Sequence, residues 1–444
     1  MSNINLTREK IIFFKKKYLA NLKKKNIDIE SSSLISLRYL IFSKLKKNNN
    51  YNDLAKKIKK INFINQLKNI LYLKNFSSIN LHGNYSKKNL AKYNKIILSW
   101  SYFKNFKKSG IFTDPYFKVD SNKKKLLWVL IHMENNLPAK INDNIIIIHP
   151  FRSNIILGLV NLINYIFKLI LKHKLKINNI YHNLSYDSYL SSNIKDFFIK
   201  KKFLDNTKKI FIPLESQPFQ NQIIQLAKIK KIHTVGFDHT CNPFPFYNTY
   251  SHLSPDTLQV HGKCSSRFYS KYLNWPKKKI SITNSVRVIK KNKNFFLNKI
   301  FLPILIDDFD KILLTLDNFF QSYLSKKKIK PLKVCLHPAT INLQKYRNLK
   351  KSIYKLQKKY SGLIKPSNKT SISVHVGNIS TIVEAIELKT EVIHIVSSDI
   401  FDYISPQFWY TVKAKEILNN IFKYKLKKYG HCVAFKRRTN TLNF

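Results

Sequence analysis

Short apolar runs that alternate with segments of helical periodicity are the feature that most constrains the fold of this chain. Runs typical of buried strands occur at 95–100, 144–150, 209–213, 234–237, 257–261, 280–283, 301–305, 333–336, 371–376 and 391–396. Apolar residues recur with helical spacing at 154–174, 219–230, 265–273, 309–323 and 380–388. Strands that alternate with helices predict parallel sheets joined by right-handed crossover connections.

The alternation falls into two blocks separated by the basic stretch 290–299. We therefore predict an α/β protein with two doubly wound, Rossmann-like domains that face a cleft, at 91–289 and 290–444. Residues 1–90 are rich in lysine and predict a helical N-terminal segment. A chain of 444 residues, of which 44% are hydrophobic, is long enough for two domains with substantial cores.

The formal net charge of +56 comes mostly from lysine, and the lysines are spread along the whole chain. A dedicated nucleic-acid-binding protein favours arginine, which makes bidentate contacts with guanine and phosphate. We therefore predict no specific nucleic-acid partner and keep nucleic-acid binding as a minor alternative. A basic surface of this kind attracts anions, so an anionic membrane surface is a candidate partner.

The longest apolar run, 155–171, is interrupted by Asn161, Asn164 and Lys168. It is shorter than the roughly 20 apolar residues that a spanning helix needs. Two interpretations remain: an amphipathic helix packed in a globular domain, and an interfacial helix that rests on a bilayer.

The first residues show no signal-peptide pattern. We expect a cytoplasmic protein, either free or peripheral at the inner face of the cytoplasmic membrane.

Cysteine usage and short motifs exclude several classes of protein. Too few cysteines are present, and they are too scattered, for a disulfide scaffold or a Cys-x-x-Cys metal half-site: Cys241, Cys264, Cys335 and Cys432. We expect reduced thiols and no cofactor, and the sequence shows no acidic metal box. The chain has neither G-x-G-x-x-G nor G-x-x-x-x-G-K-S/T, which argues against a dinucleotide oxidoreductase and a P-loop enzyme.

In open parallel sheets, ligands bind outside the carboxyl ends of the strands. In the second block, Gly377 and Asn378 follow a strand, and Ser380 and Thr381 open a helix. Free N–H groups and two hydroxyls at a helix N-terminus favour an anion site. The alternative is an ordinary capping box formed by Thr381 and Glu384.

A His-Pro pair follows the predicted strand 333–336 in the same block. Pro338 ends the strand and leaves His337 just beyond its carboxyl end, where an imidazolium can hydrogen-bond a phosphate. The alternative is a loop histidine with a structural partner. We expect His337 to lie on the same sheet edge as Ser380 and Thr381.

Carboxylates at strand ends are informative in the first block because the chain has only 24 acidic residues. Glu215 follows the strand 209–213 and is a candidate general base, or alternatively a cap for the helix that begins near Phe219. Asp238, after the strand 234–237, is the second candidate base. Asp187 is the third.

Two further groups of residues are candidates for binding. His239 precedes an aromatic loop that contains Phe244 and Tyr247, a combination suited to stacking against a sugar or lipid, although such a loop also packs on a core. Arg287 follows the predicted strand 280–283 and is suited to clamp a phosphate or carboxylate, or to form a structural salt bridge.

These residues together resemble a known family. The motifs occur in the order Glu215-x-Gln-Pro218, Gly236-x-x-His-Thr240, Pro255-Asp256 through Gly262, and Asn284-Ser-x-Arg287, with further matches at 99–102, 110–117 and 127–128. This order resembles the GT-B glycosyltransferases of bacterial surface-carbohydrate biosynthesis. The His-Pro and Ser-Thr pairs are similar to donor-binding motifs of bacterial sialyltransferases and Kdo transferases, which use CMP-sugars. The resemblance covers roughly residues 95–410.

The resemblance implies a role for each matching residue. His337, Pro338, Ser380 and Thr381 would hold the nucleotide phosphate of the donor. Glu384 would lie near the ribose, and Arg287 would also serve the donor. Glu215 or Asp238 would be the base of an inverting transfer, and the acceptor side would include His239, Phe244 and Tyr247.

The implied reaction moves a sugar, such as Kdo or another nonulosonic acid, from a nucleotide-sugar to a glycan or glycolipid precursor of a surface polysaccharide such as capsule or lipopolysaccharide. The nucleotide-sugar is a co-substrate, and the chemistry needs no metal. Val392 stands where the second glutamate of the Glu-x7-Glu pair of retaining enzymes would follow Glu384, and Asn284 stands where relatives have glycine. The alternatives are a nucleotide-sugar epimerase and a non-catalytic carbohydrate- or lipid-binding assembly protein of the same fold.

Overall fold

The computed structural model shows an α/β protein with one eight-stranded and one six-stranded sheet. It describes residues 8–10, 12–13, 16, 20, 78–122, 125–151, 155–173, 186–241, 243, 254–283, 293–304, 306, 308–324, 331–360, 372–397 and 402–434. The α/β class predicted from the sequence is confirmed. Within these residues, no helix has both the length and the apolar character needed to cross a bilayer.

The larger sheet has the strand order β1-β4-β3-β2-β5-β6-β7-β8. Its strands are β1 (Ser78–Gly83), β2 (Lys95–Ser101), β3 (Leu127–His132), β4 (Ile145–Phe151), β5 (Lys209–Pro213), β6 (His233–Phe237), β7 (Thr257–Val260) and β8 (Ile280–Ile282). Strands β2 to β7 pair in parallel, and β1 adds an antiparallel edge to β4. Every residue of β3 is buried, as expected of a parallel strand covered on both faces.

The helices that accompany this sheet are α1 (Lys87–Leu90), α2 (Ile155–His173), α3 (Tyr186–Lys200), α4 (Pro218–Ile229) and α5 (Lys263–Arg267). Helix α4 crosses from β5 to β6 and begins with Pro218 at its first turn, where the missing N–H costs no hydrogen bond. Its residues Ile223, Ile224 and Ala227 are fully buried.

The smaller sheet has the order β10-β9-β11-β12-β14-β13. Its strands are β9 (Lys299–Phe301), β10 (Lys333–Cys335), β11 (Ile372–Val376), β12 (Glu391–Ile395), β13 (Val412–Leu418) and β14 (Ile421–Leu426), and its helices are α6 (Phe309–Phe319), α7 (Gln344–Lys359) and α8 (Thr381–Glu387). Strands β9 to β12 are parallel, and β13 and β14 form an antiparallel pair. Ile300, Leu316 and Val374 lie in its hydrophobic core.

Some expectations for single elements are wrong. Residues 1–90 were predicted to be helical, but Ser78–Gly83 is a strand that pairs with β4. The strand predicted at 144–150 continues through Pro150, which pairs with Ile79, to Phe151. The strand predicted at 301–305 lies earlier, at Lys299–Phe301.

The chain divides into two compact units. The first comprises Met1–Ile12, His239–Phe246 and Val260–Asn440, and the second comprises Phe13–Asp238, Tyr247–Gln259 and Thr441–Phe444. The domain limits 91–289 and 290–444 remain predictions.

Candidate functional site

The carboxyl edge of the larger sheet brings together polar and aromatic residues that are far apart in the sequence. Strand β2 lies beside both β3 and β5, and Ser101 is in register with His132. Strand β5 pairs with β6, with Pro213 opposite Phe237. The residues that follow β2, β3, β5 and β6 therefore emerge from one edge, where open parallel sheets bind ligands.

Glu215 lies at this edge, just beyond β5. Its side chain is partly exposed, and its carboxylate accepts a 3.3 Å hydrogen bond from the side-chain amide of Gln217. Gln217 is the N-cap of α4, and together with Gln220 it forms the capping box. The alternative that Glu215 caps this helix is wrong. Its carboxylate therefore lies between the end of β5 and the N-cap residue of α4.

Two tyrosines lie close to Glu215. Tyr102 and Tyr116 hydrogen-bond through their hydroxyls. Burial raises the pKa of both tyrosines, and the negative charge of Glu215 raises each further. Both hydroxyls therefore stay protonated at neutral pH. Because the bond between them uses one of the two protons, the pair has one hydroxyl proton left to donate to a ligand.

Further aromatic rings extend this group. The ring of Trp100 lies 5.3 Å from that of Tyr116 and 5.7 Å, edge-on, from that of Phe219. The rings of Trp100 and Phe219 are 8% and 7% exposed, so they support Tyr116 from the protein interior. The motif residues 99–102 and 110–117 thus contribute directly to the surroundings of Glu215, a proximity that their sequence spacing does not show.

A serine–histidine pair supports the same edge. The Ser101 Oγ lies 3.0 Å from His132 Nδ1, and His132 Nε2 lies 2.8 Å from the carbonyl oxygen of Asn136. Because a carbonyl oxygen only accepts, Nε2–H donates to Asn136 and Nδ1 accepts from the serine hydroxyl. Burial lowers the pKa of His132, so its ring is neutral at neutral pH. Both side chains are fully buried, and they fix the ends of β2 and β3.

Beside this pair lie residues that sequence reasoning did not select. The backbone N–H of Phe103 donates to the Glu134 carboxylate at 2.5 Å, and His149 Nε2 donates to the Glu134 carbonyl oxygen at 3.0 Å. The rings of His132 and His149 are 5.9 Å apart. The sequence feature that could have pointed to His149 is the His-Pro pair at 149–150, which has the same two residues as the pair at 337–338.

The other candidates in this part of the chain are less accessible. Asp238 is 1% exposed, and its backbone N–H donates to the Gln259 carbonyl oxygen at 2.9 Å. His239 is 4% exposed. Asp187 lies in α3, but its side chain lies outside the described residues. Three more candidates also lie outside them: Phe244, Tyr247 and Arg287.

In the smaller sheet, the predicted donor residues follow β10 and β11. Both strands run parallel to β9, which lies between them, so His337 and Ser380 follow strands that end at the same sheet edge, as predicted. With neighbouring strands ~4.8 Å apart, the two strand ends are separated by ~10 Å. His337 is partly exposed, and its carbonyl oxygen accepts hydrogen bonds from both the N–H and the hydroxyl of Thr340. Pro338 is exposed and begins the short turn Pro338–Thr340.

The hydroxyl of Thr381 faces inward. It lies 3.0 Å from Nδ1 of His375, whose Nε2 lies 2.7 Å from the Ser373 hydroxyl. The N-cap of α8 is Ser380, which makes no side-chain cap hydrogen bond. The capping box with Thr381 as the cap is therefore wrong. Glu384 is 1% exposed, so its side chain lies in the protein interior; its place near the ribose, which the resemblance implies, stays a prediction.

A second buried histidine holds the turn after β11. His394 Nε2 donates to the Gly377 carbonyl oxygen at 2.9 Å, and Nδ1 lies 3.0 Å from the Tyr424 hydroxyl. Burial lowers the pKa of His394 to about 4, against the opposing effect of its bond to Gly377. Gly377 has φ +65°, and an added Cβ would lie 3.2 Å from Pro303 and from Ser397. The turn therefore requires glycine.

The part of the chain that the structure describes contains no group of His, Cys, Asp or Glu arranged to hold a metal ion. No family model matches the sequence, and no curated protein matches it.

Proposed function

We propose that this protein is a glycosyltransferase with the GT-B arrangement that the resemblance implies. It would move a sugar, such as Kdo or another nonulosonic acid, from a nucleotide-sugar, with CMP as the carrier, to a surface-polysaccharide precursor by metal-independent inverting transfer. The observation that carries the proposal is the position of Glu215. Its carboxylate lies at the carboxyl end of a parallel strand, beside two protonated tyrosines.

The chemistry assigned to this group is general-base catalysis. The Glu215 carboxylate takes the proton from an acceptor hydroxyl while that oxygen attacks the anomeric carbon of the donor. The bond from the anomeric carbon to the phosphate oxygen breaks, and the nucleotide leaves with the bonding electrons. The Tyr102–Tyr116 pair orients the acceptor by donating one hydrogen bond, and the partly exposed ring of Tyr102 provides an apolar face for a sugar ring.

Exposure favours Glu215 over Asp238 as the base. Glu215 is partly exposed, whereas Asp238 is 1% exposed. A base must approach the proton it removes to within hydrogen-bond distance. The more accessible carboxylate is therefore the better candidate, and Asp238 is assigned a supporting position beside β7.

Ser380 and His337 are the candidate donor ligands in the smaller sheet. The Ser380 hydroxyl makes no cap hydrogen bond, in contrast to Thr381, whose hydroxyl bonds to His375. The inward direction of the Thr381 hydroxyl supports a structural role for that residue. Contact with the nucleotide is therefore assigned to Ser380, with His337 at the same edge.

The experiment combines nucleotide binding with turnover. Thermal unfolding is measured with CMP, CDP and other nucleotides, and nucleotide release is measured with CMP-sugars. Glu215→Gln keeps the nucleotide-induced rise in Tm and lowers turnover by about 10²- to 10⁴-fold, the usual effect of losing a general base. Glu416→Gln, at an exposed glutamate in β13, is the matched control and leaves both unchanged. The proposal is wrong if no nucleotide raises Tm, or if Glu215→Gln is fully active.

A carbohydrate-binding protein without turnover is the second candidate, because the aromatic residues around Glu215 serve binding as well as catalysis. It predicts glycan affinity in isothermal titration that Tyr102→Ala weakens. It also predicts no nucleotide release from any nucleotide-sugar, with wild type and Glu215→Gln behaving alike.

A further inference from the structure

Helix α2 is apolar on two opposite faces. One face packs into the protein through Leu162, Tyr165 and Leu169, which are 4%, 4% and 2% exposed. The opposite face consists of large apolar side chains that are between 42% and 74% exposed: Ile156, Leu157, Leu159, Val160, Ile163, Phe167 and Leu171. We call this set the outer face of α2.

The outer face is one continuous strip. At ~100° per residue, its members fall on a single side of the helix, opposite the buried residues. Of the exposed residues among 156–171, only Asn164 is polar, and α2 contains no acidic residue. A surface helix of a water-soluble domain normally has a polar outer face, and a helix that is apolar all round has an apolar neighbour on each side. A continuous exposed apolar strip on a protein surface marks an interaction site.

The inner face of α2 is fixed to α3. Lys168 Nζ donates to the Ser192 hydroxyl at 2.7 Å and pairs with the Asp196 carboxylate. The rings of Tyr165 and Tyr189 lie 5.3 Å apart, edge to face. Lys168 is the one cation of α2 whose side chain the structure describes, and it takes part in the α2–α3 contact. With the inner face fixed in this way, the outer face points away from α3.

The same contacts place one basic residue of α3 near one end of α2, on the side of the helix that faces α3. Tyr165 contacts Tyr189, and three residues further along each helix Lys168 contacts Ser192. Helices α2 and α3 therefore run in the same direction, so Lys200, which is exposed at the end of α3, lies at the Leu171 end of α2.

We propose that the outer face of α2 docks on an anionic lipid bilayer, with the helix lying in the plane of the interface. A helix with an exposed apolar strip, on a chain rich in lysine, has the composition of interfacial helices. The net charge of +56 favours an anionic surface over a second copy of this chain, because two copies would repel each other. The outer face shares no residue with the group around Glu215, and the proposal is independent of sugar transfer.

The experiment is vesicle co-sedimentation of the full chain. Vesicles of phosphatidylcholine alone are compared with vesicles that also contain phosphatidylglycerol. We expect the wild-type protein to sediment with the anionic vesicles. Ile163→Glu and Phe167→Glu each lower the partition coefficient about tenfold or more. Each removes an apolar side chain that enters the bilayer and introduces a charge into the membrane interface.

Ile229→Glu is the matched control, because Ile229 is 77% exposed on α4 and the substitution makes the same change in charge. It is expected to sediment like the wild type. Since all three positions are exposed, the circular dichroism and Tm of the variants should match those of the wild type. Phe167→Trp gives a measurement that does not depend on lost binding, because the fluorescence of the new tryptophan should be quenched by brominated lipids. The native tryptophans should not be quenched, because all of them are buried: Trp100, Trp128, Trp275 and Trp409.

Several results would overturn the proposal. Absence of wild-type binding to anionic vesicles, or equal binding by Phe167→Glu, would show that the outer face does not enter the bilayer. Equal losses for Ile229→Glu and Ile163→Glu would show that charge alone governs binding. A wild-type oligomer in light scattering that Phe167→Glu dissociates, without vesicle binding, would identify a second copy as the partner.

Discussion

Replacing Glu387 by alanine tests how the segment after β14 is held. Glu387 is 4% exposed, and its carboxylate accepts the backbone N–H groups of Gly430, Cys432 and Val433 at 2.6, 2.7 and 3.1 Å. The last two N–H groups are buried, so truncation leaves both without an acceptor. Each unsatisfied buried donor costs about 1–3 kcal/mol. We therefore expect Glu387→Ala to lower the free energy of unfolding by about 2–6 kcal/mol.

Chemical denaturation at neutral pH measures this loss. Glu416→Ala is the control, because Glu416 is exposed and accepts a single backbone N–H, that of Asn420, at 3.2 Å. Exposed substitutions of this kind usually change stability by less than about 0.5 kcal/mol. If Glu387→Ala costs no more than Glu416→Ala, the carboxylate does not hold this segment.

The pH dependence of the free energy of unfolding of wild type and Glu387→Ala provides a second test. Burial raises the pKa of Glu387 above its ordinary value of 4.5, although the backbone N–H groups act in the opposite direction. The native carboxyl group therefore holds its proton more strongly than the unfolded one, and its contribution is greatest below pH 4.5. The stability difference between wild type and Glu387→Ala should shrink as pH rises through the raised pKa; a difference that grows with pH would contradict this.

Three further outcomes are expected. Gly262→Ala places a Cβ 2.4 Å from the His431 carbonyl oxygen and should lower the free energy of unfolding by about 1–3 kcal/mol in denaturant titration. Thr381→Val removes the hydroxyl beside His375 and should cost about 1 kcal/mol while keeping any nucleotide-induced rise in Tm. Because the pKa of His394 falls from 6.5 to about 4, the wild type should lose about 1.4 kcal/mol per pH unit as pH drops through this window, and His394→Gln should show a shallower loss.

The parallel strands could be predicted because burial on both faces leaves an uninterrupted apolar run. The run at 209–213 predicts β5 with the bounds that the structure shows. Strands β13 and β14 were missed because lysine alternates with apolar residues in them, as in Val412–Leu418. In a chain with lysine throughout, that alternation does not stand out. Strand β1 was missed because its pairing with β4 is set by a distant segment.

The candidate site could be predicted residue by residue but not as a group. The position of Glu215 after a strand is visible in the sequence. Its proximity to Tyr102 and Tyr116 depends on β2 lying beside β5, and those strands are separated in the chain by β3, β4 and two helices. Strand order in a mostly parallel sheet is a property of the crossovers and cannot be read from periodicity.

The buried histidines explain how the second sheet edge is shaped. His375 and His394 are in register on neighbouring strands, and burial lowers the pKa of each. A neutral imidazole has one donor and one acceptor, so each ring can join two elements without introducing a charge. His375 links Ser373 to the first residue of α8, and His394 links β14 to the turn at Gly377. The backbone before Ser380 is thus fixed from both sides, which is what a preorganised binding turn requires.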